Sequence, residues 1–178
     1  MATIEDVLGR SVQATRALFA AAACSVALVD EDGDTLTYVV ADGAGAAEIV
    51  GVTIPVGRGI GGWAAMSGQP IAVRDVQSDA RFARDVAEST NYVPSAILAA
   101  PLMTPDGEVI GVTSVLDASV DEASDWTLHV LGTLASQMAM LVTGARDAQP
   151  VTSDGAGFGD LGRDVLGIVR QWEAGRAT

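Results

Sequence analysis

A run of glycines limits this chain more than any other feature. Gly57, Gly59, Gly61 and Gly62 follow a strand-like stretch ending at Val56, and Gly68-Gln69-Pro70 closes the segment. Gly57, Gly59 and Gly62 spell G-x-G-x-x-G, the spacing of a dinucleotide-binding loop. In that loop the glycines open a long helix whose N-terminal amides hold a pyrophosphate. Here the helical stretch at residues 63–67 lasts barely a turn before Gly68 and Pro70 stop it. No full βαβ unit fits, and the motif without that context is weak. What the glycines do instead depends on the elements around them.

The 178 residues suffice for one domain with a real core, plus an appendage. Apolar residues make up 49% of the chain but aromatics only 4%, so the core is built from Ala, Val, Leu and Ile. Net charge is −13, and all ten basic residues are Arg. Such a surface repels phosphate backbones, so neither nucleic acid nor an anionic membrane is expected as a partner. Cys24 is the sole cysteine, which excludes an internal disulfide and a cysteine-cluster metal site. Glu5 and Asp6 stand where a signal peptide has bases. The uncharged run at residues 126–145 contains His129, Gly132, Thr133, Ser136, Gln137 and Thr143, too polar for a lone membrane span. A cytoplasmic protein is expected.

Ile4, Val7, Leu8, Ser11, Thr15, Leu18, Phe19 and Ala22 fall at helical spacing. Strands are expected at residues 24–30 and 35–41, joined by Glu31-Asp32-Gly33-Asp34, with a short connector at 43–48. Val50, Val52, Ile54 and Val56 alternate as a third strand. Residues 71–74 form another, and the polar segment 75–94 holds a helix between Ala83 and Asn91. Residues 95–103 and 108–117 make the clearest hairpin, reversed by Thr104-Pro105-Asp106-Gly107. A long helix at about 121–145 carries a stripe of Leu131, Leu134, Met138, Leu141 and Val142. Its other face, with His129, Thr133, Ser136 and Met140, has no formal charge, which predicts a cover: the opening helix or a second subunit. Residues 146–160 read as a flexible linker, and 161–175 as an amphipathic helix that must dock on something.

This order of elements resembles the GAF domain, and local signatures agree with it over residues 4–145. Pro55 to Gly62, Gly68-Gln69-Pro70-Ile71 and Val73-x-Asp75 look like that family's central loop. Asp79-x-Arg81-Phe82 resembles the turn that follows. Ser95-Ala96-Ile97-Leu98-Ala99-Ala100-Pro101-Leu102, Gly107 and Val109-Ile110-Gly111-Val112 match its final hairpin. The resemblance implies an α+β, profilin/PAS-like fold. An antiparallel sheet of five to six strands would carry the terminal helices on one face and lid loops with short helices on the other. On this view the glycines let the chain turn off a strand and lie close to the sheet, with a ligand cavity beneath the lid.

Cyclic-nucleotide binders of the family often carry an Asn-Lys…Phe…Asp-Glu signature, of which only Asp121-Glu122 is present. Residues 63–94 lack a cysteine for covalent bilin attachment, and His129 lies away from the lid, so it does not read as a haem ligand. Free methionine sulfoxide reduction needs an attacking and a resolving thiol, and Cys24 alone cannot supply both. No catalytic constellation, metal-ligand spacing or identifiable cofactor emerges. The candidate ligand-binding residues are Ile60, Trp63, Phe82, Ser89, Thr90, Tyr92 and Ser95, with Arg58, Arg74 and Arg81 available for an anion. The expected function is a non-enzymatic sensory domain, homodimeric through its terminal helices. It would relay a small molecule bound under the lid to a signalling partner in trans. The alternatives are a ligand-free dimerisation module and, less favoured, a methionine sulfoxide reductase.

Overall fold

The connection that contains the glycines has to cross the whole sheet, and that explains its composition. In the computed structural model, which describes residues 3–119 and 124–148, six antiparallel strands lie in the order β3-β2-β1-β6-β5-β4. They are β1 (Ala23–Val29), β2 (Thr35–Gly43), β3 (Thr53–Pro55), β4 (Ile71–Val73), β5 (Ile97–Met103) and β6 (Val109–Leu116). β3 and β4 are consecutive in sequence but form opposite edges, so residues 56–70 run over one face as helix α3 (Gly59–Ser67). Positive φ angles at Gly57 (+89°) and Gly59 (+72°) turn the chain off β3, and buried Gly61 and Gly62 lay the helix against the sheet. The helix therefore starts inside the glycine run rather than at residue 63. Burial against β5 and β6 overrides the poor helix propensity of glycine. Its end is as expected: Gly68 is left-handed and its N–H donates to Ala64 O at 3.0 Å.

The opposite face carries the terminal helices. α1 (Ile4–Leu18) opens on a capping box in which Thr3 and Asp6 exchange hydrogen bonds. α5 (Asp125–Ala148) starts with the Ser124 hydroxyl accepting the Thr127 N–H at 3.1 Å. Leu8, Val12 and Phe19 pack with Val26, Leu98, Leu102, Val115, Leu131, Met138 and Val142 in one core. Leu36, Ile54, Ile60, Ala64, Val76, Ile97 and Val112 form a second core under the lid. By length and composition alone α5 is long and apolar enough to cross a membrane. Its buried residues Leu131, Ala135, Met138, Ala139 and Val142 lie in the first core instead.

Several expectations need correction. Leu141 is 39% exposed and Leu18 55%, so neither belongs to its helix's core stripe; Ala135 and Ala139 take that place on α5. The third strand is only Thr53–Pro55, because Val52 N–H closes a turn onto Ile49 O and Gly51 takes a φ of +88°. The connector after β2 holds a one-turn helix, α2 (Ala46–Ile49), and residues 146–148 continue α5 rather than starting a linker. The lid's last helix, α4 (Arg84–Ser89), lies inside the expected span. Both hairpin turns form as read, Gly107 N–H donating to Thr104 O at 2.9 Å and Gly33 N–H to Asp30 O at 2.9 Å. Residues Met1–Arg146 form one compact unit. The expected linker beyond residue 148 and the helix at 161–175 lie outside the described residues.

Candidate functional site

On the lid face of the sheet, small and hydroxylated residues stand where strand alternation would place bulky ones. Ser25 on β1 pairs directly with Ser114 on β6, and Tyr38 on β2 pairs with Ala27, two residues along β1. Together with Ala41, Ala83 and Ala87 they leave a cavity of about 100 Å³ between the sheet, α2, α3 and α4. Ile54, Ile60, Phe82, Val86, Pro94 and Ile97 give it apolar walls. Gly61 allows the close approach of α3, since a β-carbon there would stand 3.0 Å from Ser114 Oγ.

The polar groups of the cavity divide into two sets. Thr90 Oγ1 donates to Ala87 O at 2.8 Å, and the Tyr92 hydroxyl donates to the Asp117 carboxylate. The hydroxyls of Ser25, Tyr38 and Ser114 have no side-chain hydrogen bond among the described residues. No buried side-chain nitrogen or oxygen is stranded among those residues, so these three keep an open face to the cavity. Cys24 also borders it, but its thiol sits 3.8 Å from Thr113 Oγ1, and burial pushes its pKa up to about 12. It is a protonated, inert thiol at neutral pH.

Ion pairs brace the lid from outside. Arg58 pairs with Asp85, and Arg81 grips Asp79 through Nε (2.9 Å) and a second nitrogen (2.6 Å) while lying 4.8 Å over the Trp63 ring. The Arg81 hydrogen bonds hold the Asp79 carboxyl down at about 2. At the lid's far end Asp117 accepts from Tyr92, from Ser95 N–H (2.8 Å) and from Ala96 N–H (2.8 Å).

Of the candidate residues, Ile60, Phe82, Thr90 and Tyr92 line the cavity. Trp63 does not, because its ring serves as the platform for Arg81. Ser89 is exposed and donates back to Val86 O at 2.7 Å, and exposed Ser95 contributes only its backbone N–H to Asp117. Arg58 and Arg81 are committed to carboxylates, and Arg74 is exposed beyond β4. Ser25, Tyr38 and Ser114 were missed. The available signal was period two: each occupies the face shared with apolar Ala27, Leu36 or Val112.

Both tyrosines of the chain report on this site. Burial raises Tyr38 from 10 to about 12, and burial followed by the Asp117 hydrogen bond and charge raises Tyr92 to about 12. The fold thus favours the neutral phenols, a contribution intact below 10 and lost as pH rises towards 12. Ultraviolet titration of the native protein should show no phenolate step near 10, with both tyrosines titrating there in denaturant. A native step at 10 would remove the closed lid.

A six-stranded antiparallel sheet, helices on one face and a glycine-hinged lid over a cavity on the other, defines a sheet-and-lid module. The chain belongs to the GAF domain family, whose model matches residues 3–142. It is 34% identical over 68 residues to the dual 3′,5′-cyclic-AMP and -GMP phosphodiesterase 11A of Takifugu rubripes, covering 38% of this chain and 8% of that protein. The curated relative is thus far longer than the stretch it shares with this chain. Among solved structures, the GAF domain of a phosphoenolpyruvate-protein phosphotransferase from Coxiella burnetii superposes with a TM-score of 0.73 at 19% identity, covering 83% of this chain and 86% of that one. Free methionine-R-sulfoxide reductase from Neisseria meningitidis, in complex with its substrate, gives 0.66 at 23% identity, covering 82% and 81%. At these identities the structural likeness shows the fold alone.

Proposed function

We propose that this chain is a non-enzymatic sensory GAF domain that binds a small molecule beneath its lid and passes the event to its terminal helices. The observation that carries this reading is the cavity beneath the lid with three uncommitted hydroxyls, Ser25, Tyr38 and Ser114. A cavity needed only for packing would be filled by side chains, and buried polar groups are ordinarily hydrogen-bonded. The phosphodiesterase relative brings a cyclic nucleotide forward as one ligand to test. Methionine sulfoxide reduction is disfavoured by Cys24, a single thiol held at about 12. A cytoplasmic setting belongs to the same reading and rests on the acidic surface and the lone buried thiol.

The relay runs through Asp117. Its carboxylate holds the lid end, and two residues on, Ser119 N–H donates to Phe19 O at the end of α1 at 3.1 Å. A ligand that displaces Tyr92 alters the same short segment that leads towards α5. A partner protein in trans would read that change.

A second reading, a dimerisation module without ligand, is favoured by α5. Trp126 (66%), Met140 (57%) and Leu141 (39%) are exposed on a helix with no formal charge at residues 126–145, in a chain of net charge −13. One experiment separates the two. Nucleotides, 2-oxo acids, amino acids, haem and uncharged aromatic amides are screened by thermal shift against the wild type and Ala87→Leu, which fills the cavity from α4. The sensor reading expects at least one class to stabilise the wild type and none to stabilise the variant. No stabilisation by any class, with a stable dimer in sedimentation, favours the second reading and overturns the first.

A further inference from the structure

The cavity's lining restricts the chemistry of its occupant as well as its size. Among the described residues no Asp, Glu, Lys, Arg or His lines it; of the lid arginines, Arg58 and Arg81 are engaged with Asp85 and Asp79, and Arg84 donates to Gln77 O at 3.5 Å. An anion buried without a cation loses hydration worth roughly several kcal/mol per charge even after relaxation. The first turn of α3 lines the cavity and has no side-chain cap, so its amides are free to meet an acceptor. The dipole of a helix N-terminus returns about 2 kcal/mol to a full charge, a partial offset of that loss. The three hydroxyls both donate and accept, which suits neutral polar groups. Ser25 and Ser114 are only 7% and 6% exposed, so these groups face the cavity rather than bulk water. A volume of about 100 Å³ is on the scale of cavities that admit a single benzene-sized ring.

We infer that the ligand is an uncharged single-ring molecule that bears a hydrogen-bond acceptor for the first turn of α3 and groups that pair with Ser25, Tyr38 and Ser114. The same lining offers a cyclic nucleotide or other anion no cationic side chain, so both serve as the charged arms of the test. This rests on the reading that the cavity binds a ligand at all.

The test is an NMR titration of the full chain with benzene, benzamide, benzoate and cyclic GMP. Benzene reports on access to the cavity, benzamide on its hydrogen bonds, and the other two on charge. Benzene should bind, benzamide should bind roughly tenfold tighter, and benzoate and cyclic GMP should leave the cavity resonances unmoved. Ser25→Ala and Ser114→Ala should each weaken benzamide by roughly fivefold and leave benzene unchanged, while Ala87→Leu removes both. Benzoate or cyclic GMP binding as tightly as benzamide overturns the neutral class and leaves the cavity a binding site. So does benzamide binding no tighter than benzene. Failure of all four probes, benzene included, overturns the inference together with the sensory reading beneath it.

Discussion

Gly43→Ala is expected to cost about 4 kcal/mol or more, enough to unfold much of the population at room temperature. Gly43 ends β2 with a φ of +95°, outside the range an L side chain adopts without strain. A β-carbon there would stand 2.2 Å from Ala22 O and 2.9 Å from Arg16 Cδ. The carbonyl cannot retreat, because it accepts Ala44 N–H at 3.0 Å at the junction of α1 and β1. Ala23, Ala41 and Ala44, which border the cavity, lie at the same junction. Gly33→Ala is the control. Its φ is also positive, +77°, but nothing lies within 4 Å, so it should carry only backbone strain, roughly 1–2 kcal/mol. Urea unfolding of the pair separates strain from collision. Equal losses would show that the approach at Gly43 relaxes freely.

No sequence signal marked Gly43, although Gly57 to Gly62 stood out at once, and the contrast shows what a sequence makes legible. The glycine run, the Gly68 stop and the Thr104-Pro105-Asp106-Gly107 reversal are local features, set by turn chemistry over a few residues. The antiparallel sheet of five to six strands follows from the element sequence and the resemblance, and the structure has six. Gly43 is required by a neighbour about twenty residues away, and Ser25 faces Ser114 across β1 and β6. Such pairings exist only once the strands are in register. Trp63 misled for a related reason. A scarce aromatic in the lid suggested a ligand wall, but its ring is covered by Arg81, a partner recognisable only in three dimensions. Leu141 fitted the apolar spacing of α5, yet the helix turns its side chain to solvent while Ala139 faces the core.

Asp117→Ala is expected to cost about 3 kcal/mol and to disconnect the lid from the terminal helices. Asp117 follows β6 at a φ of +50°, a left-handed conformation that Asp and Asn tolerate and Ala resists by about 1 kcal/mol or more. Its removal also strips an acceptor from Tyr92 OH, Ser95 N–H and Ala96 N–H at once. Two of these donors face solvent in part and recover some hydration, which keeps the total near that of one strong network rather than three separate bonds. Asp117→Asn retains the backbone conformation and an acceptor oxygen, so about 1 kcal/mol is expected. The two tyrosines then divide the causes. In Asp117→Ala, Tyr92 keeps its burial, the larger cause, but loses the neighbouring carboxylate, so its titration should fall part of the way from about 12 towards 10, while Tyr38, raised by burial alone, should not move. Hydrogen exchange reads the relay: amides of residues 90–96 and of the first turns of α5 should open together in Asp117→Ala and far less in Asp117→Asn. Opening of the lid with α5 unchanged would leave Asp117 as a latch only, and the path from cavity to helices would have to run elsewhere.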